Sequence, residues 1–149
     1  MGGRRDLIKM TEGELSSFLE EQRVVTCATI GPDGRPHLMP LWYVVDGGEL
    51  RGWTYAKSQK AKNLERDPRA TLQIEDGVEY QELRGVMMEC DVELIREDVE
   101  AFGAALFERY APGVDVGDMV RAQAPKRVGL RFIPTRTVTW DHRKLGGAY

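Results

Sequence analysis

RGWTYAKSQKAKNLERDPRATLQI, residues 51–74, reads as strand, basic turn, short helix and strand, and the rest of the chain is placed from it. Residues 51–55 carry Trp53, Thr54 and Tyr55, bulky and β-branched side chains that suit a pleated strand. Ser58 then stands where a helix N-cap belongs, its hydroxyl available to the backbone N–H of Lys60 or Ala61. The helix runs through Leu64 until Asp67-Pro68 stops it, and Ala61 and Leu64 give it one apolar face. Its start offers unsatisfied N–H groups and the positive end of a macrodipole, beside Lys57, Lys60 and the hydroxyls of Thr54 and Ser58. That combination suits a phosphate. Taken alone, Lys57, Lys60 and Lys62 read first as a solvated helix face balanced by Glu65 and Asp67.

Upstream, residues 35–45 form a long strand, turned by Asp46-Gly47-Gly48 into the strand 49–55 that enters the basic turn. Pro40 lies in the middle of that run. A proline donates nothing to a ladder, so it marks an edge or a bulge with backbone left open on one side. Open backbone beside Met39 and Leu41 could receive a flat ring with polar edges, or could simply be an edge protected by proline. Before it, residues 23–30 are rich in β-branched side chains and close on the turn 31–34. Thr11 and Glu14 have capping-box spacing for an amphipathic helix reaching about Gln22, with Leu15, Phe18 and Leu19 at helical intervals.

Downstream, 69–75 and 80–95 read as strands separated by the turn Asp76-Gly77. A helix from Arg96 follows, with Val99, Phe102, Leu106 and Tyr110 on one stripe, and a shorter one spans 115–123. Residues 126–133 and 135–140 are two closing strands around Pro134, and the polar tail from His142 is expected to be ordered only by a partner. About six strands in hairpin order with few helices predict a mainly β, six-stranded antiparallel split barrel in a single domain over 1–149, since closure removes exposed edges.

With 149 residues and a net charge of −3, the chain is sized for one core and is not a general nucleic-acid binder. No apolar run approaches a membrane span, and the first ten residues lack a secretory core, which predicts a cytoplasmic protein. Cys27 and Cys90 sit in apolar runs and read as buried, reduced thiols. Two cysteines and two histidines far apart give no metal site, and His37 and His142 read as packed residues in preference to haem ligands.

Four segments, ATIGPDGRPHLMPLWYVV from Ala28, TYAKSQKAKNLERDPRATL from Thr54, ELRGV from Glu82 and WDHRKLGG from Trp140, occur in an order that resembles a known superfamily. They are similar to the split β-barrel flavin/deazaflavin oxidoreductases, the pyridoxamine 5'-phosphate oxidase-like superfamily, and within it to its small actinobacterial branch that uses the deazaflavin coenzyme F-420. The resemblance implies a cofactor phosphate held by Trp53, Thr54, Ser58, Gln59 and Lys60, with Lys57 close by. It implies a ring lined by Leu38, Met39, Pro40, Leu41 and Trp42, and contact from Arg84. It further implies a homodimer in which Trp140 and Arg143 come from the second subunit. The extended C-terminal segment by which pyridoxamine phosphate oxidases grip their substrate is not evident after His142. The spacing of Thr54, Ser58 and Lys60 also resembles the FMN-binding branch, so FMN is the alternative cofactor.

Three functions follow from that resemblance. The first is hydride transfer between the deazaflavin and a conjugated small molecule, with the cofactor doing the chemistry and the protein supplying position and field. The second is an FMN-dependent oxidoreductase on the same barrel, and the third a non-catalytic flavin or haem binder. Tyr43, Tyr55 and Tyr80 are proton sources by chemistry alone, since water can serve as well.

Overall fold

A computed structural model describes residues 3–147. Five helices are formed, α1 (Arg4–Leu7), α2 (Glu12–Glu21), α3 (Gln59–Arg66), α4 (Val99–Tyr110) and α5 (Gly117–Gln123). The seven strands are β1 (Val25–Ile30), β2 (Pro36–Leu41), β3 (Val44–Asp46), β4 (Glu49–Tyr55), β5 (Arg69–Asp76), β6 (Arg84–Ile95) and β7 (Arg127–Asp141). All pairings are antiparallel, in the order β2-β1-β5-β6-β7-β4-β3.

That order shows why the sheet curls. Its two outermost strands, β2 and β3, are consecutive in the chain and separated only by Trp42 and Tyr43. Three Cα steps span at most about 11 Å, whereas flat packing of seven strands would put the edges about 29 Å apart. The sheet therefore bends until its edges meet at Trp42-Tyr43. The residues facing inward, among them Cys27, Leu72, Ile74, Val86, Met88, Leu130 and Phe132, form the main core together with Phe18 and Leu19 of α2 and Leu64 of α3.

Seven strands stand against the expected six; the segments read as strands also number seven, and two divisions among them differ. The run 35–45 is two strands, because Tyr43 turns fully inward and its hydroxyl donates to the Leu19 carbonyl at 2.7 Å. Tyr80–Glu82 is a turn of 3-10 helix, so the following strand starts at Arg84 and not at Tyr80. The two closing strands are one, β7, which continues through Pro134. Register passes from Glu89 opposite Arg136 to Cys90 opposite Pro134, leaving Thr135 as the extra residue of a bulge that tolerates the missing donor. The tail is held by its own chain and needs no partner: His142 N–H donates to the Leu83 carbonyl at 2.8 Å, and Lys144 pairs with Glu14 at 2.6 Å. The last two residues of that tail, 148–149, lie outside the described residues. The capping box is formed, Thr11 Oγ1 accepting from Glu14 N–H at 3.1 Å and Glu14 Oε1 from Thr11 N–H at 2.8 Å.

Helices α4 and α5 cover the outer face of β4 and β7 in a second apolar cluster around Trp53, Val99, Leu106, Val120 and Ala124. The contact is close because Gly103 lies against the Trp53 ring, where a Cβ would stand 2.4 Å from ring carbons. Gly103→Ala is expected to cost about 2 kcal/mol through overpacking. Chemical denaturation measures it, and an unchanged midpoint would contradict so tight a fit.

Candidate cofactor site

Helix α3 starts as its sequence requires. Ser58 is extended and its Oγ accepts from Ala61 N–H at 3.1 Å, the second of the two expected partners. Its charge pattern, however, does not make one solvated face. Lys57 and Lys62 are exposed, while Lys60 retains 6% of its surface and turns inward with Ala61, Asn63 and Leu64. The Lys60 ammonium makes a single long hydrogen bond, 3.4 Å to Thr54 Oγ1, and among the described residues it has no ion pair.

Burial pushes the Lys60 pKa down, the Cys27 thiol nearby opposes that, and the Arg127 guanidinium adds like-charge repulsion. A buried cation with no acid beside it is costly unless an anion joins it. Arg127 is itself held by rings, its guanidinium 3.8 Å from the Tyr55 centroid and 4.8 Å from that of Trp53, and its Nε is buried without a partner. Two cations short of acceptors beside a helix start form a receptor for negative charge.

An opening in the sheet lies beside these groups. Strand β3 pairs only with Glu49, Leu50 and Arg51, so residues 52–55 of β4 have β7 on one side and no strand on the other. Strand β2 likewise has β1 on one side and a free edge on the other. The two free edges start together at the β2–β3 bridge, where the Trp42 carbonyl lies 3.0 Å from the position a Cβ would take on Gly52. From there they lead away in opposite chain directions, leaving a wedge-shaped seam. Helix α3 spans it: Asn63 Nδ2 donates to Thr29 Oγ1 of β1 at 3.0 Å, while Lys60 reaches Thr54 of β4.

The seam brings together the two stretches singled out in the sequence. Pro40 lies on an edge strand opposite Thr26, in the regular ladder and not at a bulge. Leu38, at 61% exposure, Met39 and Pro40 are exposed, and Leu41 is half-buried against the core. Met39 is the register partner of Cys27, the thiol nearest in effect to Lys60. Trp42 does not lie along the edge. It stacks on Tyr110 at 4.4 Å and 9°, with Phe107 edge-on at 6.0 Å. Trp53 is buried under α4, Gln59 is exposed and donates to Asn63 Oδ1 at 2.7 Å, and Thr54 and Ser58 lie 3.4 Å apart.

Arg84, Trp140 and Arg143 lie elsewhere, at the far end of the β6–β7 pair. Arg84 is committed to Asp76 at 2.9 Å and Glu21 at 3.3 Å, with its guanidinium over the Phe18 ring. Arg143 is paired with the buried Asp141 at 2.9 Å, which holds that carboxyl below the usual range, and Trp140 packs over Gly85. None of the three faces its own chain's seam. Of the tyrosines, Tyr43 is enclosed with its hydroxyl occupied, Tyr55 lies on Arg127, and Tyr80 meets His142 edge-on at 4.6 Å. The thiols are buried and free, Cys27 pushed up to about 11 and Cys90 to about 12 by desolvation. No cluster of metal-ligating side chains occurs among the described residues. Sequence reading missed Asn63, which lies on α3 itself, and Thr29 and Arg127, polar residues that only the closed sheet brings to that helix.

A profile of the pyridoxamine 5'-phosphate oxidase family matches residues 11–141. The chain belongs to that family. Among solved structures with the pyridoxamine 5'-phosphate oxidase-like barrel, a conserved hypothetical protein from Mycobacterium tuberculosis is 45% identical, with a TM-score of 0.91 over 99% of this chain and 95% of that one. A protein described as an F-420 reductase is 27% identical, with a TM-score of 0.68 over 82% and 94% of the two chains. The haem storage protein HutZ from Vibrio cholerae, at 17% identity and a TM-score of 0.68 over 86% and 94%, shares the fold. No curated protein matches the sequence. The family placement agrees with the resemblance drawn from the four segments, and no described helix is long and apolar enough to cross a membrane.

Proposed function

We propose that the protein is a cytoplasmic, coenzyme F-420-dependent oxidoreductase that transfers a hydride between the coenzyme and a conjugated small molecule. The observation that carries this reading is Lys60, a buried ammonium without an acid at the foot of an open seam in a sheet of this family. The seam suits a flat ring and Lys60 suits the phosphate attached to it. A reduced deazaflavin would supply the hydride. The chain's own residues would bind and orient: Lys60, Thr54 and Ser58 at the phosphate, and the backbone edges of β2 and β4 along the ring. The exposed Leu38 and Met39 would exclude water.

What favours the deazaflavin over FMN is the 27% identical F-420 reductase, which spans most of this chain. The second reading is an FMN enzyme, from the spacing of Thr54, Ser58 and Lys60, or a flavin or haem store, since the haem storage protein HutZ has the same fold. We also infer a homodimer, because Arg84, Trp140 and Arg143 are turned away from their own seam and only a second copy could bring that end of the β6–β7 pair to it.

Competitive titration by fluorescence tests the cofactor. F-420 is expected to bind and to displace any FMN carried through purification, and reduced F-420 to be consumed when a conjugated acceptor is added. Tightly held FMN that F-420 cannot displace would replace this reading with the FMN one. Binding without turnover for any acceptor would make the protein a store, and no binding of either would end the proposal.

A further inference from the structure

His37 is absorbed by none of the roles above, yet it stands beside the seam. It lies on the edge strand β2, in register with Thr29 of β1. Directly opposed residues of an antiparallel pair point to the same face, and Thr29 is 2% exposed and points inward, so His37 belongs to the inner side. From Thr29 a short polar chain leads to the start of α3: Asn63 donates to Thr29 at 3.0 Å and Gln59 donates to Asn63 at 2.7 Å. His37 thus lies on the β2 edge in register with the strand residue that α3 is bonded to, while Lys60 and Thr54 lie on the β4 side. Its ring makes no hydrogen bond among the described residues. Nδ1 is buried without a partner, and the residue as a whole is half-buried. An inward-facing imidazole with neither nitrogen paired is an uncommon arrangement, because a buried polar atom left without a partner is costly.

We propose that His37 is a ligand-contacting residue, its Nε2–H donating to the same phosphate that Lys60 anchors, from the opposite lip of the seam. The proposal rests on the reading that a phosphate-bearing coenzyme occupies the seam. It adds a position within it: a donor on β2, so that the anion is gripped by both edges and draws them together. Histidine serves here because it combines a donor nitrogen with a ring able to lie against the strand.

The test compares phosphate-bearing and phosphate-free ligands on the intact protein. Whichever of FMN and F-420 the wild type binds is titrated against His37→Leu, His37→Gln and His37→Asn, alongside the matching ribityl chromophore without its phosphate. His37→Leu is expected to weaken the phosphate-bearing ligand about 10-fold and to leave the phosphate-free one within about 2-fold. His37→Gln, whose amide reaches the Nε2 position, is expected to recover most of the loss, and His37→Asn, which reaches only as far as Nδ1, is not. Equal weakening of both ligands, or of neither, overturns the proposal.

A second measurement needs no variant to fold well. The 15N-histidine spectrum holds only His37 and His142, and the His37 ring nitrogens are expected to shift on addition of the phosphate-bearing ligand and not of the phosphate-free one. Unmoved signals at saturation would also overturn it. If the wild type binds neither ligand, the parent reading fails and this one with it. If it binds and His37 is indifferent, only this one does.

Discussion

Arg109→Met is expected to lower the stability by about 3 kcal/mol. The guanidinium caps the end of α2, its Nη2 lying 3.0 Å from the carbonyls of Leu19 and Glu20 and 2.7 Å from that of Gln22. Its Nη1 donates to the Tyr43 carbonyl at 2.5 Å, and its plane lies 4.6 Å from the Tyr43 ring centroid. One side chain of α4 therefore satisfies the orphan carbonyls of α2 and pins the two-residue bridge between β2 and β3. Removing it takes the side-chain donor from the Glu20 carbonyl and leaves the Leu19, Gln22 and Tyr43 carbonyls with only the Tyr43 and Tyr110 hydroxyls. A cation at that helix end is also favoured by the macrodipole. The apparent melting temperature is expected to fall by roughly 10 °C. Arg109→Lys should recover only part of the loss, because an ammonium has no fork to serve several acceptors at once. A loss below about 1 kcal/mol for the methionine variant would mean that water replaces these contacts.

Lys60→Met is expected to act in two directions at once. Without ligand it should stabilise the protein by about 1 kcal/mol or more, since an apolar chain of similar size replaces a desolvated charge. With ligand it should cost about 2–3 kcal/mol of binding, roughly 30- to 150-fold in Kd. The pH dependence follows from the lowered pKa of Lys60. Below the folded-state pKa the burial penalty is present in full. It lifts as pH rises from there towards the ordinary value of 10.5, where the unfolded chain also loses its proton. The stability gap between Lys60→Met and wild type should accordingly narrow across that alkaline window. Denaturant titrations at several pH values, with and without ligand, read both effects. A methionine variant less stable than wild type without ligand would show that Lys60 is structural and that no anion is wanted there.

The signals that were local in sequence were the readable ones. Ser58 and Thr11 cap their helices, because a cap depends on three or four neighbouring residues. Pro40 sits on an edge because proline has no donor to offer a central strand. Misreadings arose where a distant contact decided. Tyr43 breaks an otherwise continuous strand because its hydroxyl is drawn to α2, 24 residues away. Lys60 reads either as an anion ligand or as one of three solvated lysines, and helix geometry turns it alone of the three onto the face shared with Ala61 and Leu64. Arg109 carried no local mark, being one more basic residue at a helix end, and its partners lie about 90 residues upstream. Arg84 and Arg143 have acidic partners that the sequence does not pair with them.

The edges of this sheet meet through a peptide bridge at Trp42-Tyr43 and not through a ladder. Widening the gap beside that bridge breaks no ladder bond, and the two flanks, like the jaws of a clothes peg about a fixed pivot, are restrained by the Asn63–Thr29 and Lys60–Thr54 bonds of α3. The spread of the jaws is therefore set at one end by how stiffly Arg109 holds the pivot and at the other by α3, which acts as the spring.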